Sequence, residues 1–211
     1  MLPELNIVPL ILAFLIGSIP TGYLLNKYFG HGDIRKVGSG NIGATNVLRH
    51  SGKLLGLLTL LIDIGKGFLA VYFLWHFFIL GHKFHIGFGE AISILGSSVV
   101  LGHIFSPWLK FKGGKGVATM LGVILFISID ADTIEMKNIF FVTIFSWLMI
   151  IFFTRYVALG SVISLTIATI YSFFYIQPVF LFFVLMTLLI TYKHKDNFER
   201  IKNNKEHKIS F

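Results

Sequence analysis

Long, uninterrupted runs of apolar residues dominate this chain, and short polar segments separate them. A helix needs about 20 apolar residues to cross a bilayer, and these runs are continuous, whereas barrel strands would alternate. The pattern predicts about seven transmembrane helices, over residues 5–25, 54–79, 87–109, 116–129, 139–153, 158–176 and 179–192. The fourth and fifth runs are short, so five or six spans remain possible. We expect an all-α integral membrane protein, a compact bundle that forms one domain over residues 1–211.

Positive charge is concentrated in one set of the segments between the runs. With seven spans, one side of the membrane holds 15 of the 18 Lys and Arg residues, in segments 27–53, 110–115, 154–157 and 193–211. The other side holds Lys83 and Lys137. Lys and Arg mark the cytoplasmic side of a membrane protein. The distribution therefore predicts an outer N-terminus and a cytoplasmic C-terminus.

Composition narrows the possible chemistry. Of the 211 residues, 55% are hydrophobic and 13% charged, whereas soluble domains are about 25% charged. The absence of cysteine excludes disulfides, thiolate metal sites and a cysteine nucleophile. The net charge of +8 lies mostly in short loops beside the membrane. We therefore expect membrane lipid and phosphorylated molecules as partners, and no nucleic acid.

The segment GSGNIGATNVLR, residues 38–49, has a polarity that membrane insertion does not require. We call it the first motif. Its glycines allow backbone N–H groups to turn toward an anion, and its arginine can hold a phosphate through two hydrogen bonds. Its polar side chains are those of Ser39, Asn41, Thr45, Asn46 and Arg49.

A second segment of the same chemistry is KFKGGKGVAT, residues 110–119, and we call it the second motif. It combines Lys112 and Lys115 with Gly113, Gly114 and Gly116 at the predicted start of a helix, where phosphate binds favourably. A third polar cluster, the tail motif, covers residues 194–206. Two glycine motifs on one membrane face suggest that two anionic groups bind together, as a group-transfer reaction requires.

Two ionisable residues interrupt the second apolar run. Asp63 and Lys66 are three residues apart and share one helical face, so they must contact protein or water. They form either a structural ion pair or a support beneath a substrate site. Gly65 and Gly67 predict a close approach of another backbone. His103, at the cytoplasmic end of the third run, either bonds a nearby carbonyl or orients the second motif.

Two apparent nucleotide motifs lack the required context. Gly38, Gly40 and Gly43 spell the dinucleotide-binding pattern, but a polar segment precedes them where that pattern needs a strand. The second motif has Gly116 after Lys115, where a phosphate-binding loop needs a hydroxyl for Mg²⁺. We expect no cofactor and no metal site.

Four segments together resemble the bacterial acyl-phosphate:glycerol-3-phosphate acyltransferase family. They are SGNIGATNVLR, DIGKG, GHIFSPWLKFKGGKGVAT and HKDNFERIKNNKE, in this order over nearly the whole chain. The resemblance implies a compact seven-helix enzyme of the bacterial inner membrane with a cytoplasmic active site. Such an enzyme moves a fatty acyl group from acyl phosphate to the 1-hydroxyl of glycerol 3-phosphate. The products are lysophosphatidate and phosphate, in the first step of phospholipid synthesis.

The resemblance also implies roles for individual residues. The catalytic set would be Ser39, Arg49, Lys115, His194 and Asn197. The substrate-binding set would be the backbone of Gly113, Gly114 and Gly116 and the side chains of Asn41, Thr45, Asn46, Lys112, Arg200 and Glu206. Asn41, Thr45 and Asn46 would also shape the first motif. Asp63, Lys66 and His103 would support the site.

The implied reaction needs little covalent chemistry from the protein, because acyl phosphate already carries a good leaving group. Positioning and neutralisation of two phosphates can supply most of the rate. We expect direct transfer without an acyl-enzyme, with the proton passing to a phosphate oxygen of the donor or to His194. Arg49, Lys115 and Arg200 supply the positive charge, and we expect a monomer.

Two other functions remain open from the sequence. Anion-binding loops with Asp63 and Lys66 in the membrane would also suit a transporter of a phosphorylated metabolite, although we find no repeat of either glycine motif. A lipid-binding structural subunit would not require Arg49 or Lys115.

Overall fold

The computed structural model of the protein describes residues 7–80 and 86–209, and every regular element in these two ranges is helical. The helices are α1 Val8–Ser18, α2 Thr21–Tyr28, α3 Ala44–Ser51, α4 Lys53–Leu74, α5 Phe88–Ile104, α6 Val117–Asp130, α7 Ile134–Thr154, α8 Val157–Tyr175, α9 Gln177–Lys193 and α10 Lys195–Lys202. A π-helical segment, Trp75–Leu80, extends α4, and 3₁₀ turns cover Ile34–Lys36 and Pro107–Leu109. The prediction of an all-α protein is confirmed.

The helices support four to six membrane spans within the described residues. Four stretches are long and apolar enough to cross, namely Lys53–Phe77, Phe88–Leu109, Ile134–Thr154 and Val157–Tyr175. Two bent pairs also qualify if each is one span: α1 with α2, bent by 42°, and α9 with α10, bent by 51°. Helix α6 has 14 residues, so it is about 21 Å long and shorter than a hydrocarbon core of about 30 Å. The predicted number of seven spans stays a prediction, and the first predicted span begins before the described residues.

Helix α7 illustrates why these segments belong in a membrane. Its mean hydropathy is 1.9, yet only 17% of the span is buried within the protein. Phe141, Phe145 and Phe152 are each more than 60% exposed. A helix that is apolar on all sides but largely uncovered needs a nonpolar solvent around it. The protein is therefore a multi-pass membrane protein.

The chain packs as two compact units, Met1–Phe126 and Ile127–Phe211. In the first unit, α1 packs along α5, and α4 packs against α1, α3 and α5. In the second unit, α8 packs between α7 and α9. The prediction of one domain over residues 1–211 stays a prediction.

Helix α1 ends because Pro20 follows it, and a residue before proline avoids the helical conformation. Such a break leaves carbonyls that must be satisfied inside a membrane. Ser106 Oγ donates to the carbonyl of Ser18 at 2.6 Å, and Lys66 Nζ donates to the carbonyl of Ile19 at 3.0 Å. Trp108 Nε1 donates to Ser18 Oγ at 2.8 Å. Side chains from α4 and from the segment after α5 thus fix the point where α2 begins.

The two glycines of α4 differ sharply in their surroundings. A Cβ on Gly67 would overlap the carbonyl oxygen of Thr119 in α6, so the predicted close approach is confirmed there. A Cβ on Gly65 would meet no atom within 4 Å, and the prediction of a close contact is wrong for this residue. Spacing along a helix does not reveal which of two nearby glycines the neighbouring helix touches.

This difference predicts opposite effects of the same substitution. Gly67→Ala should destabilise the protein by about 1 to 3 kcal/mol, because the carbonyl it meets is backbone and cannot move aside. Gly65→Ala should stabilise it by about 0.5 to 1 kcal/mol, because alanine favours a helix interior. Thermal unfolding of both variants in detergent measures the difference. Equal melting temperatures would contradict the α4–α6 contact.

The second unit closes on itself near its C-terminus. Thr169 of α8 and Thr187 of α9 share a hydrogen bond between hydroxyl oxygens 2.9 Å apart. The turn between α7 and α8 contains Arg155 in the left-handed region, with φ 63°. The Ile209 N–H donates to the Arg155 carbonyl at 2.9 Å. The residues after α10 are therefore tied back to the α7–α8 turn.

Candidate functional site

The first motif is organised around one buried amide side chain. Asn46 is 4% exposed, and its Oδ1 accepts from the N–H of Ser39 at 3.0 Å. Its Nδ2 donates to the carbonyls of Ile34, Val37 and Asn41, at 3.2, 3.1 and 2.8 Å. Because both polar atoms of Asn46 are engaged with the motif's own backbone, the predicted shaping role fits this geometry better than direct contact with substrate.

Glycine is required where the first motif turns. Gly38 and Gly40 have φ of 58° and 68°, which residues with a Cβ adopt rarely. A Cβ on Gly38 would also overlap Asn46 Oδ1. Asn41 Oδ1 then accepts from the N–H of Gly43 at 2.8 Å, just before α3 begins. The glycines and asparagines of the motif thus form a compact turn that leads into a helix.

The remaining polar side chains of the first motif lie at its surface. Ser39 and Arg49 are exposed, and Thr45 is half-buried. Thr45 and Arg49 are four residues apart in α3 and share one face of the helix. The hydroxyl of Thr45 and the guanidinium group of Arg49 therefore lie on the same face of α3, the helix that follows the glycine turn.

The other arginine of this segment has its charge balanced. Arg35 donates from Nε to Asp33 Oδ1 at 2.9 Å and from a terminal nitrogen to Oδ2 at 2.6 Å. The hydrogen bond from Arg35 lowers the pKa of Asp33 to about 2, so the carboxylate stays ionised at neutral pH. The Arg35 guanidinium also lies 4.7 Å from the ring centroid of Tyr23. This carboxylate and ring hold Arg35 in place.

The glycines of the second motif contact the end of α5. The N–H of Gly113 donates to the carbonyl of Ile104 at 3.1 Å, and that of Gly114 donates to the carbonyl of His103 at 3.0 Å. A Cβ on Gly113 would overlap the His103 carbonyl, and one on Gly114 would overlap His103 Nε2. Both N–H groups donate to α5 in this structure, and the prediction that they hold a phosphate stays a prediction. The amide of Gly116 and the first turn of α6 remain for that role.

The rest of the second motif carries its cations and a strained turn. Lys112 is exposed and Lys115 is half-buried. Lys110 and Phe111 have φ of 54° and 60°, in the left-handed region that residues other than glycine rarely adopt. Backbone strain of this kind clusters at functional sites. The sequence does not indicate this turn, because neither residue type signals a left-handed conformation.

The first and second motifs share one hydrophobic cluster. Leu109, immediately before the second motif, is 3% exposed and packs with Ile42 and Val47 of the first motif. Ile34 and Leu55 complete the buried part of this cluster. Leu109 could not be recognised from the sequence, since an apolar residue at the end of an apolar run carries no special signal. The shared packing fixes both motifs to the same core.

The three predicted supporting residues lie together in the first unit. Asp63, Lys66 and His103 are 2%, 7% and 4% exposed. Lys66 Nζ lies 2.8 Å from Asp63 Oδ1, and His103 Nδ1 lies 3.8 Å from the same oxygen. The ammonium group of Lys66 satisfies Asp63 Oδ1, whereas His103 Nδ1 has no hydrogen-bond partner among the described residues.

The tail motif forms a polar site of its own in the second unit. Glu206 Oε1 accepts from Asn197 Nδ2 at 3.0 Å, and Glu206 Oε2 accepts from Arg200 Nε at 2.7 Å. These bonds orient the side chains of Asn197 and Arg200, and the predicted role of Glu206 in substrate binding stays a prediction. His194 Nδ1 lies 2.8 Å from the carbonyl of Ile190. Since a carbonyl only accepts, this nitrogen carries a proton and a neutral ring has its acceptor at Nε2.

The predicted site residues therefore fall into two sets. Residues of the first and second motifs lie on one core of the first unit, with the buried residues of α4 and α5. His194, Asn197, Arg200 and Glu206 lie in the second unit, and three of them share hydrogen bonds. Over residues 7–80 and 86–209, no cluster of three His, Asp or Glu side chains has the arrangement of a metal site.

Comparison with known proteins assigns the chain to a family. The sequence pattern of the glycerol-3-phosphate acyltransferase family matches residues 7–204, which is almost the entire length. The chain belongs to this family. The first and second motifs, the buried pair of α4 and the tail motif up to residue 204 lie within the matched residues, so the match includes every candidate site residue except Glu206.

Individual members of the glycerol-3-phosphate acyltransferase family agree over nearly their full length. The protein of this name from Pelagibacter ubique (strain HTCC1062) is 40% identical over 196 residues, 93% of each chain. The one from Ehrlichia canis (strain Jake) is 42% identical over 203 residues, covering 95% of this chain and 96% of the other.

Solved structures of one family member share the fold. The crystal structure of PlsY, an integral membrane glycerol 3-phosphate acyltransferase, in its glycerol 3-phosphate form has a TM-score of 0.83 and 34% identity. The lysophosphatidic acid form has a TM-score of 0.80 and 32% identity. Each comparison covers 97% of this chain and 95% of PlsY.

Proposed function

We propose that this protein transfers a fatty acyl group from acyl phosphate to the 1-hydroxyl of glycerol 3-phosphate, with lysophosphatidate and phosphate as products. The acceptor and the reaction class follow from the names of its relatives and from the two PlsY structures. The acyl phosphate donor rests on the resemblance of the motifs. The reaction would begin phospholipid synthesis at the membrane.

One observation carries the proposal, namely the common core beneath the two glycine motifs. Leu109 packs with Ile42 and Val47, so Arg49 and Lys115 extend from segments fixed to one hydrophobic cluster. Two phosphorylated molecules bound at these motifs would meet in one place. This arrangement supports transfer between two anions better than binding of a single one.

The proposed chemistry is a direct substitution at the acyl carbon. The 1-hydroxyl oxygen of glycerol 3-phosphate bonds to the acyl carbon, and the bond from that carbon to the phosphate oxygen breaks. The hydroxyl proton passes to the departing phosphate or to His194. Arg49 and Lys115 neutralise the phosphates, which is an electrostatic contribution that needs no bond to the protein. The hydroxyl of Ser39 donates a hydrogen bond to a phosphate oxygen of the acceptor.

We also propose that all seven apolar segments cross the bacterial inner membrane, with the N-terminus outside and the catalytic motifs cytoplasmic. The charge distribution supports this orientation. Because the chain has no cysteine, single cysteines are specific markers. In intact cells stripped of the outer membrane, Asp132→Cys should react with a membrane-impermeant maleimide and Asn203→Cys should not. Labelling of Asn203→Cys would overturn the orientation.

Phosphate release tests the proposed reaction directly. The purified protein, given palmitoyl phosphate and glycerol 3-phosphate, should release phosphate and form lysophosphatidate in equal amounts. Omission of glycerol 3-phosphate should stop the release, and palmitoyl-coenzyme A should not replace the donor. Uptake of glycerol 3-phosphate into vesicles without product would instead favour a transporter. A covalent acyl-protein trapped in a single turnover would refute direct transfer.

A further inference from the structure

A chain of buried polar contacts links the segments that carry the first and second motifs. Asp63 lies between Lys66 Nζ, at 2.8 Å, and His103 Nδ1, at 3.8 Å. Lys66 continues the chain to the carbonyl of Ile19 at 3.0 Å. His103 continues it to Gly114. One carboxylate in α4 is thus connected to both sides of the site.

The Lys66 branch leads to the first motif. Its target, the Ile19 carbonyl, lies in the break that determines where α2 starts. Helix α2 then contacts the first motif, since a Cβ on Gly22 would overlap the carbonyl of Ile42. A change in the angle of α2 would move this contact. Lys66 therefore acts on the first motif through the break and through α2.

The His103 branch leads to the second motif. The His103 carbonyl accepts the N–H of Gly114 at 3.0 Å, and Nε2 of its ring lies where a side chain on Gly114 would begin. The same histidine thus contacts Gly114 with its backbone and with its ring. Rotation of the ring would disturb the residue that precedes Lys115. Asp63 Oδ1 lies 3.8 Å from Nδ1, the opposite nitrogen of the ring, where its charge favours a ring orientation with Nδ1 toward the carboxylate.

The cost of this cluster argues against a role in stability alone. Charged side chains inside a membrane cost about 2.5 to 3.5 kcal/mol each on insertion scales, and buried pairs rarely recover the full cost of desolvation. His103 Nδ1 also lacks a hydrogen-bond partner among the described residues, because Asp63 Oδ1 lies 3.8 Å away. Apolar residues of similar size would pack here at less cost. A group retained under these conditions calls for a function.

We propose that Asp63 is a positioning residue that sets the separation between the two anion-binding motifs. It does so through Lys66 and α2 on one side and through His103 and Gly114 on the other. This inference rests on the proposed transfer between two phosphorylated substrates. Each motif can bind its own anion without Asp63, but the reacting atoms meet at the correct distance only when the two branches are held together.

The test replaces the whole ion pair by apolar residues of similar volume. The double variant Asp63→Leu with Lys66→Met removes both charges together, a change that is often neutral or stabilising in buried sites. We expect a folded protein, because the removal of two buried charges offsets the loss of the hydrogen bond from Lys66 to the Ile19 carbonyl. Its kcat should fall about 10- to 100-fold, because a shift of about 1 Å between reactants has effects of this size.

Binding of each substrate separates positioning from general damage. Calorimetry with glycerol 3-phosphate alone, and with a non-transferable acyl phosphonate alone, should give dissociation constants within about threefold of the unaltered protein. Gly65→Ala, on the same helix and in open space, should leave both kcat and binding unchanged. A folded double variant with normal kcat, or with binding and kcat lowered equally, would overturn the proposal.

The His103→Gln variant and the activity of the unaltered protein provide two further tests. If the double variant does not fold, His103→Gln interrupts the branch to Gly114 without a change of charge in α4, and the same split between kcat and binding is expected. A normal kcat in His103→Gln would overturn the proposal. Failure of the unaltered protein to transfer any acyl group would refute the proposed function itself, which is a different result from a normal kcat in the variants.

Discussion

Replacement of Arg49 by alanine should lower kcat/KM for acyl transfer by about a thousandfold, the scale of losing one fixed donor to a charge that develops in the transition state. Arg49 is exposed on α3, in register with Thr45 and directly after the turn that Asn46 organises. Its guanidinium can form two parallel hydrogen bonds to a phosphate. The phosphate-release assay with purified protein measures the loss.

Two other arginine substitutions determine whether the effect belongs to Arg49. Arg49→Lys keeps the charge but loses the planar pair of donors, so we expect an activity between those of the unaltered protein and the alanine variant. Arg35→Ala removes an arginine of the same segment whose charge Asp33 balances, and its kcat/KM should stay within about threefold. Equal losses in Arg35→Ala and Arg49→Ala would remove Arg49 from the site.

Much of the fold could be predicted because membrane helices follow from one strong signal. Within the described residues the long apolar runs are helical, the first of them as two helices, α1 and α2, since backbone groups in hydrocarbon have no other local way to bond. The bends could not be predicted in this way. Pro20 indicates that a helix ends, but the 42° angle between α1 and α2 depends on Ser106, Trp108 and Lys66, which are distant in sequence.

The candidate site was predictable in composition but not in detail. Glycines, lysines and an arginine in two short motifs indicated anion binding, and the family assignment agrees with that interpretation. The hydrogen bonds of Gly113 and Gly114 to α5 were not predictable, because a glycine-rich segment looks the same whether its amides face a ligand or a neighbouring helix. Contacts between elements decide such cases.

The role of Glu206 shows the same limit. A carboxylate near an arginine in sequence can bind a substrate group, neutralise a neighbour or orient it, and the spacing alone does not distinguish these roles. In the structure, each oxygen of Glu206 accepts from one side chain, Asn197 or Arg200. The carboxylate therefore restricts the rotamers of both residues, and any phosphate that binds near Arg200 must use its remaining donors.

Substitution of His194 provides the second large effect, because this histidine is one of the two acceptors proposed for the proton of the attacking hydroxyl. General base catalysis contributes about 10²- to 10⁴-fold, so His194→Ala should lower kcat by a factor in that range while substrate binding changes little. The Ile190 carbonyl holds the proton of Nδ1, and Nε2 of the neutral ring is then the acceptor. Single-turnover measurement of lysophosphatidate formation gives the rate of the chemical step.

The comparison of His194→Gln with His194→Ala separates proton transfer from orientation. Glutamine can donate to the Ile190 carbonyl and fill most of the volume, but its amide does not accept a proton at neutral pH. If His194 is the base, glutamine should be as slow as alanine within about threefold. His207→Gln, an exposed histidine of the same segment, should retain full activity. Recovery of most of the rate in His194→Gln would show that His194 orients the site and that the donor phosphate takes the proton.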